Sequence, residues 1–396
     1  MPPRRLTPPR VAALVAAALA LSSGRAASSQ APPPVADSTL GFPLPGDHPT
    51  PATGASASLS LSDRWLGSSA YENPAAKLPA GIEVTPVFQR TSRQDLAAQN
   101  RDFEQTFGYF DIAGAAWSLP FKNWGLVVYG WQPVLRLEEQ TYTTGPLVQP
   151  AQINQLDTQR EIRAGGAVSR AFGTWRAGIS GEWVHRDDQY EKHEQGGDPA
   201  AVGDETMKFS GNGYGVNGGI TYERDPDKVW GMTIGAAAHY GSELNVSGTV
   251  DEHLLVQDTT FSFEATRTTE WSGGLSARVM VAPATRVLLG LTGRTGSDWN
   301  GFGFGTSKSL SWSLGLDWKD DELPWGARFG VGQENDPGAV EPAAGLLSIG
   351  FTYVMSGDLV LDLGLLHRNV TRADLAGKDF PHSADNRAVL TVKVGF

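Results

Sequence analysis

Ser309-Leu310-Ser311-Trp312-Ser313-Leu314-Gly315-Leu316-Asp317-Trp318 puts every large apolar side chain on one parity and Ser, Gly or Asp on the other. A period of two is a β-strand with one greasy and one polar face. Residues 344–355 repeat the pattern, with Leu347, Ile349, Phe351, Tyr353 and Met355 opposite Ser348, Gly350 and Thr352. So does the end of the chain, where Ala388, Leu390, Val392, Val394 and Phe396 alternate with Arg387, Thr391, Lys393 and Gly395. Read outward from these stretches, the chain divides into strands at 80–90, 107–118, 123–137, 160–170, 174–187, 207–223, 228–242, 262–281, 284–297, 306–318, 324–335, 344–355, 358–369 and 385–396. The connections alternate without exception. Longer ones at 91–106, 138–159, 188–206, 243–261, 298–305, 336–343 and 370–384 are separated by short ones at 119–122, 171–173, 224–227, 282–283, 319–323 and 356–357.

A soluble sandwich or propeller has no reason to keep that rhythm, although a secreted soluble β-protein is the plain alternative. A transmembrane antiparallel β-barrel does keep it, with short turns on the periplasmic side, longer loops outside and spans of only ~9–11 residues. Aromatic residues stand near strand ends on the apolar parity, at Trp175, Trp183, Tyr214, Tyr222, Trp230, Tyr240, Trp312 and Trp318. Indole and phenol rings favour the headgroup boundary, so these read as interfacial girdles. The fold class is therefore an all-β transmembrane barrel of about fourteen strands.

Composition agrees. The 396 residues include 47 Gly and 12 Trp, only 19% are charged, and there is no Cys. Without Cys, disulfide frameworks, thiolate zinc sites, cysteine nucleophiles and lipoprotein anchoring are excluded. A net charge of −11 argues against nucleic acid, which calls for basic patches. Arg4, Arg5 and Arg10 precede the apolar run Val11–Leu21, followed by small residues with a cleavage site near Ala26 or Ala27. Residues 1–27 read as a secretory signal, because the run is too short for a spanning helix. The domain reading is a signal peptide at 1–27, a Pro/Ala/Ser-rich periplasmic linker at 28–57, a short N-terminal plug at 58–79 and the barrel at 80–396.

Two stretches resemble the long-chain fatty acid and aromatic hydrocarbon transporters of the Gram-negative outer membrane, the FadL/TodX family. Ser69-Ala70-Tyr71-Glu72-Asn73-Pro74-Ala75 is similar to the Asn-Pro-Ala element that closes the family's N-terminal hatch. Trp325-Gly326-Ala327-Arg328-Phe329-Gly330, continued to Pro337, is similar to a late strand with an Arg-x-Gly core. The resemblance covers most of residues 60–396, and fourteen strands is also the family's number. It implies passive uptake of a hydrophobic small molecule, with outer-membrane lipid, lipopolysaccharide and the barrel-assembly machinery as partners. It also implies a plug motif at Asn73, Pro74 and Ala75.

The third strand departs from alternation. Trp124, Leu126 and Val128 lie on one face, yet Val127, Tyr129, Trp131 and Leu135 on the other are apolar too. Two greasy faces suit lipid outside and a ligand path inside. Gly130 and Pro133 lie in the same strand, and Pro removes a ladder donor, which marks a bulge or an unpaired edge. In the resembled family a kink in this strand opens the wall sideways. The reading here is either such an opening at Gly130–Pro133 or an ordinary rim bulge.

The polar parity carries Arg163, Arg176, Glu182, Arg278, Arg286, Arg294, Asp317, Arg328, Asp362, Arg387 and Lys393. A salt-bridged lumen accounts for these, while Arg278, Arg286, Arg294 and Arg328 are also candidates to contact an anionic ligand. His185 to Glu194 is a mixed-charge stretch running into an outer loop, and Gly301–Gly305 reads as a flexible loop. No Ser-His-acid order stands out, so neither an enzyme, a cofactor nor a metal is expected. The competing functions are a structural or assembly barrel docking a protein through 28–57, a general porin, and a barrel-embedded hydrolase using His185 or His239.

Overall fold

The computed structural model describes residues 73–76, 80–96, 102–144, 151–196, 203–254, 258–295, 297–300, 305–306, 309–319, 323–335, 344–356, 359–370 and 382–395. The signal, the linker, most of the plug segment and Phe396 lie outside them. Among the described residues the chain forms fourteen antiparallel strands closed into a barrel. They are β1 (Gly81–Leu96), β2 (Asp102–Phe121), β3 (Trp124–Thr144), β4 (Ala151–Phe172), β5 (Trp175–Gly196) and β6 (Gly203–Arg224). Four interrupted strands follow: β7 (Met232–Gly241, then Leu244–Leu254), β8 (Asp258–Arg267, then Glu270–Ala282), β9 (Thr285–Arg294, then Ser297–Asn300) and β10 (Gly305–Thr306, then Ser309–Lys319). The last are β11 (Trp325–Asn335), β12 (Ala344–Ser356), β13 (Leu359–Val370) and β14 (His382–Val394). Closure comes from β1 on β14, from Ile82↔Val394 up to Gln94↔His382. Closed in this way, the wall satisfies its backbone groups without water, the condition for standing in lipid, except along the upper β2–β3 seam.

The two faces separate as the alternation requires. Leu310, Trp312, Leu314 and Leu316 are exposed on the outside, whereas Ser313 and Asp317 are buried within. Leu347, Ile349, Phe351, Tyr353 and Met355 likewise point outward, and Ser348 and Thr352 inward. Exposed apolar side chains over a whole barrel surface are uncharacteristic of a soluble protein and suited to lipid. Trp175 and Trp183 are both exposed on β5. At ~3.3 Å per residue and ~40° of tilt they are about 20 Å apart along the membrane normal, close to the ~25 Å apolar band of such barrels. Ring pairs reinforce both levels: Trp175–Tyr222 at 4.8 Å and Trp318–Trp325 at 4.7 Å near the short turns, Tyr240–Trp271 at 4.9 Å higher up.

The short connections are tight turns, with Lys122, Gly173 and Ala284 in left-handed conformation. Trp230 also has positive φ, in a turn at 225–231, so it caps the short-turn rim instead of starting a strand. The long connections differ from expectation. Much of what reads as outer loop is paired strand: β3 and β4 remain zipped to Thr144↔Ala151, and β4 and β5 to Ala151↔Gly196. The stretch from His185 to Glu194 is therefore part of β5, not a loop. Beyond the membrane both faces meet water, so these extensions are held by backbone ladders with no apolar alternation to announce them.

The interruptions in β7 to β10 occur at one level. Ser242 spans the first, its N–H donating to the Tyr214 carbonyl at 2.9 Å while its Oγ accepts from the Tyr214 N–H at 3.0 Å. Above it, Leu244–Leu254 pairs with β6 and with Asp258–Arg267, continuing the wall upward.

Candidate functional site

The wall is not evenly zipped. β2 pairs with β3 only from Phe121↔Trp124 to Gly114↔Trp131. Above that level β2 stays bound to β1 as far as Leu96↔Asp102, and β3 to β4 as far as Thr144↔Ala151. Each strand carries an irregularity where the ladder ends. On β3 the register with β4 slips between Trp131 and Val134, around Gln132 and Pro133. On β2 the register with β1 slips opposite Thr85 and Pro86. Pro86 has no N–H to give, and the β1–β14 ladder on its other side lacks the rungs at Thr85 and Pro86, so β1 is irregular at this level on both sides. Two bulges thus splay β2 and β3 apart on the outer half of the barrel.

Beside this gap the inner face is apolar. Val127, Tyr129 and Trp131 are all buried, and Val127 and Tyr129 pack with Ala116, Ala167 and Ala76. Trp131 lies directly over Gly114, where any Cβ would overlap the indole ring. Gly130, between the two rings, is half-buried. Leu135 is in backbone register with Arg160, beyond the point where the bulge shifts the β3–β4 ladder, and its side chain lies outside those described.

Asn73, Pro74, Ala75 and Ala76 are buried inside the barrel. The Asn73 amide donates to Thr221 Oγ1 at 3.3 Å and to the Ile220 carbonyl at 3.4 Å, while Asn73 Oδ1 accepts the Ala75 N–H at 2.9 Å. An Asn followed by Pro suits such a self-capped turn. Its seat is made of glycine: a Cβ at Gly219 would strike the Asn73 side chain, and one at Gly178 the Pro74 carbonyl.

At the height of the gap a cluster of charges fills the lumen. Glu161, 1% exposed on β4, meets Arg163 at 2.7 Å, Arg267 at 2.9 Å and Arg186 at 3.7 Å. Arg163 also reaches Glu182 at 2.8 Å, and Glu182 lies 2.8 Å from His239 Nε2. The Tyr129 hydroxyl donates to Glu182 at 3.4 Å, joining the cluster to the apolar lining. Arg186 donates its Nε–H to Asp188 at 2.8 Å. Above the cluster a second apolar group of Val184, Phe209, Leu244, Val246 and Ala265 is buried between β5, β6, β7 and β8.

The other arginines are also engaged. Arg328 donates to both Asp362 oxygens at 2.7 and 2.6 Å and to Thr352 Oγ1 at 2.6 Å. Arg278 and Arg286 lie 3.7 and 3.8 Å from Asp317. Arg294 is half-buried at the top of the first segment of β9. His185 stacks on Trp183 at 5.4 Å, away from His239 and Glu182. The hub role of Glu161, with Arg186, Asp188 and Arg267, is not foreshadowed by spacing, since the partners converge from separate strands.

A closed barrel with a lipid-facing apolar surface, an occupied lumen and an unzipped seam beside aromatic rings is a transmembrane β-barrel of the outer-membrane type. Its fold is that of the FadL/TodX barrels. A Pseudomonas aeruginosa FadL homologue superposes with TM-score 0.67 at 12% identity, over 90% of this chain and 100% of that one. The Pseudomonas putida toluene transporter TodX gives 0.60 at 14% identity over 85% and 95%, and the Ralstonia pickettii toluene transporter TbuX 0.55 at 12% over 83% and 93%. No family model and no curated protein matches the chain by sequence.

Proposed function

We propose that this barrel carries hydrophobic small molecules, long-chain fatty acids or aromatic hydrocarbons, passively across the outer membrane of a Gram-negative bacterium. The observation that carries the reading is the end of the β2–β3 ladder at Gly114↔Trp131 beside the buried Val127, Tyr129 and Trp131. A solute in the lumen would meet aromatic surface and then a seam where no backbone bonds need breaking. The seam begins about eight residues above the short turn at 122–123, roughly 20 Å up a tilted strand, which faces the outer leaflet. Leaving there avoids the lipopolysaccharide layer without re-entering water. The likeness in fold to proteins described as toluene transporters supports the same reading.

Asn73–Pro74–Ala75 would anchor a plug formed by 58–79 that narrows the lumen. Arg278, Arg286 and Arg328 fill the lumen as paired charges. Restoring a regular third strand with Pro133→Val is expected to slow uptake of a radiolabelled apolar compound about tenfold. The barrel's heat-modifiable mobility would show that the variant is folded. Unchanged uptake would rule out the lateral route.

A further inference from the structure

The distance between β4 and β8 decides what the Glu161 cluster does. A round barrel of fourteen strands at ~4.8 Å spacing and ~40° tilt has a diameter of about 28 Å, so β4 and β8 should stand about 20 Å apart. Glu161 and Arg267 cannot stretch that far end to end, yet their side chains meet at 2.9 Å. The wall at the upper part of β8 is therefore drawn in toward β4, while its ladders to β7 and to Trp299 and Asn300 of β9 hold. The interruptions at 242–243 and 268–269 allow it, and the apolar group of Val184, Phe209, Leu244, Val246 and Ala265 fills the inside of the bend. Arg163 and His239, on β4 and β7, also lie 3.2 Å apart, so the drawing-in starts just below the breaks.

We propose that the Glu161–Arg267 pair is a latch that pins the drawn-in strands Leu244–Leu254 and Asp258–Arg267 against β4 and so sets what the barrel admits, excluding hydrated ions. Glu161 suits the task because it gathers Arg163, Arg186 and Arg267 in one buried place, while Arg267 is the member that comes from the drawn-in strands. Arg163 and Arg186 sit on the fixed wall and keep Glu161 aimed inward. Losing Arg267 unpins those strands and leaves Glu161 two cationic neighbours. Ions then have a path where charges were mutually satisfied. This goes beyond the uptake reading and does not depend on which apolar compound is carried.

The test is ion conductance of the purified full-length barrel in planar bilayers in potassium chloride, with Arg267→Ala and the conservative Arg267→Lys. The wild type is expected to show only rare, brief openings. Arg267→Ala should raise the time-averaged conductance about tenfold or more, and Arg267→Lys should return most of the way to wild type. Glu161→Gln, which removes the charge that the three arginines share, should also conduct if it folds. Arg267→Ala behaving as wild type, with apolar uptake intact, overturns the latch and leaves the uptake reading standing. A wild type that conducts steadily overturns the latch and points to a porin.

Discussion

Arg328→Met is expected to lower the unfolding free energy of the barrel by about 3–5 kcal/mol, because it strands a buried carboxylate. Asp362 is 2% exposed and takes two hydrogen bonds from one Arg328 nitrogen, and the Thr352 hydroxyl donates to it at 2.9 Å. With the guanidinium gone, the Thr352 hydroxyl, a neutral donor, does not balance the carboxylate's charge. The three residues sit on adjacent strands β11, β12 and β13 in register, since Arg328 pairs with Gly350 while Thr352 pairs with Asp362. Adding Asp362→Asn to Arg328→Met should recover much of the loss, because removing both charges removes the uncompensated one. Urea unfolding in lipid vesicles, followed by Trp fluorescence, measures both. A single variant as stable as wild type would mean that water reaches Asp362 and the pair is not a dry one.

Gly219→Val is expected to expel Asn73–Ala76 from the lumen. The added atoms fall on the Asn73 side chain, whose bonds to Thr221 and Ile220 fix the segment. β6 cannot retreat, being zipped to β5 and β7 on either side. Overpacking of this kind costs ~1–3 kcal/mol, enough to raise the displaced population about tenfold or more. The chain has no Cys, so a single Ala75→Cys reports cleanly. Ala75 is fully buried and the thiol should resist a maleimide in the otherwise native protein. In the Gly219→Val background it should label at least about tenfold faster. Equal labelling would show that the segment holds its place by other contacts.

What could be read from sequence and what could not divide along physical lines. Within the membrane each strand buries one parity in lipid, so alternation is enforced and Ser309–Trp318 or Ala344–Met355 announce themselves. Above it, the extensions Glu138–Thr144 and Ala151–Thr158 show no apolar alternation and look like loop, although their backbones are paired throughout. The breaks in β7 and β8 carry no Gly or Pro; Ser242-Glu243 and Thr268-Thr269 are ordinary strand residues whose role appears only in three dimensions. Pro133 marked the bulge on β3, but its companion on β2 lies opposite Thr85 and Pro86 of the neighbouring strand, which no reading of β2 alone reveals. Val127, Tyr129 and Trp131 were legible because an apolar residue on a polar parity is a local anomaly. Glu161 and Arg267, far apart in the chain, are legible only once the drawn-in wall is seen.

The measurement closest to the central claim is mass spectrometry of small molecules extracted from the purified barrel, wild type against Trp131→Arg. Trp131 packs over Gly114 at the last rung of the β2–β3 ladder, and a charge there would spoil any apolar path. Fatty acids or hydrocarbons carried by the wild type and lost from the variant are the predicted result. Equal retention by a folded Trp131→Arg barrel would contradict a hydrophobic route past this residue.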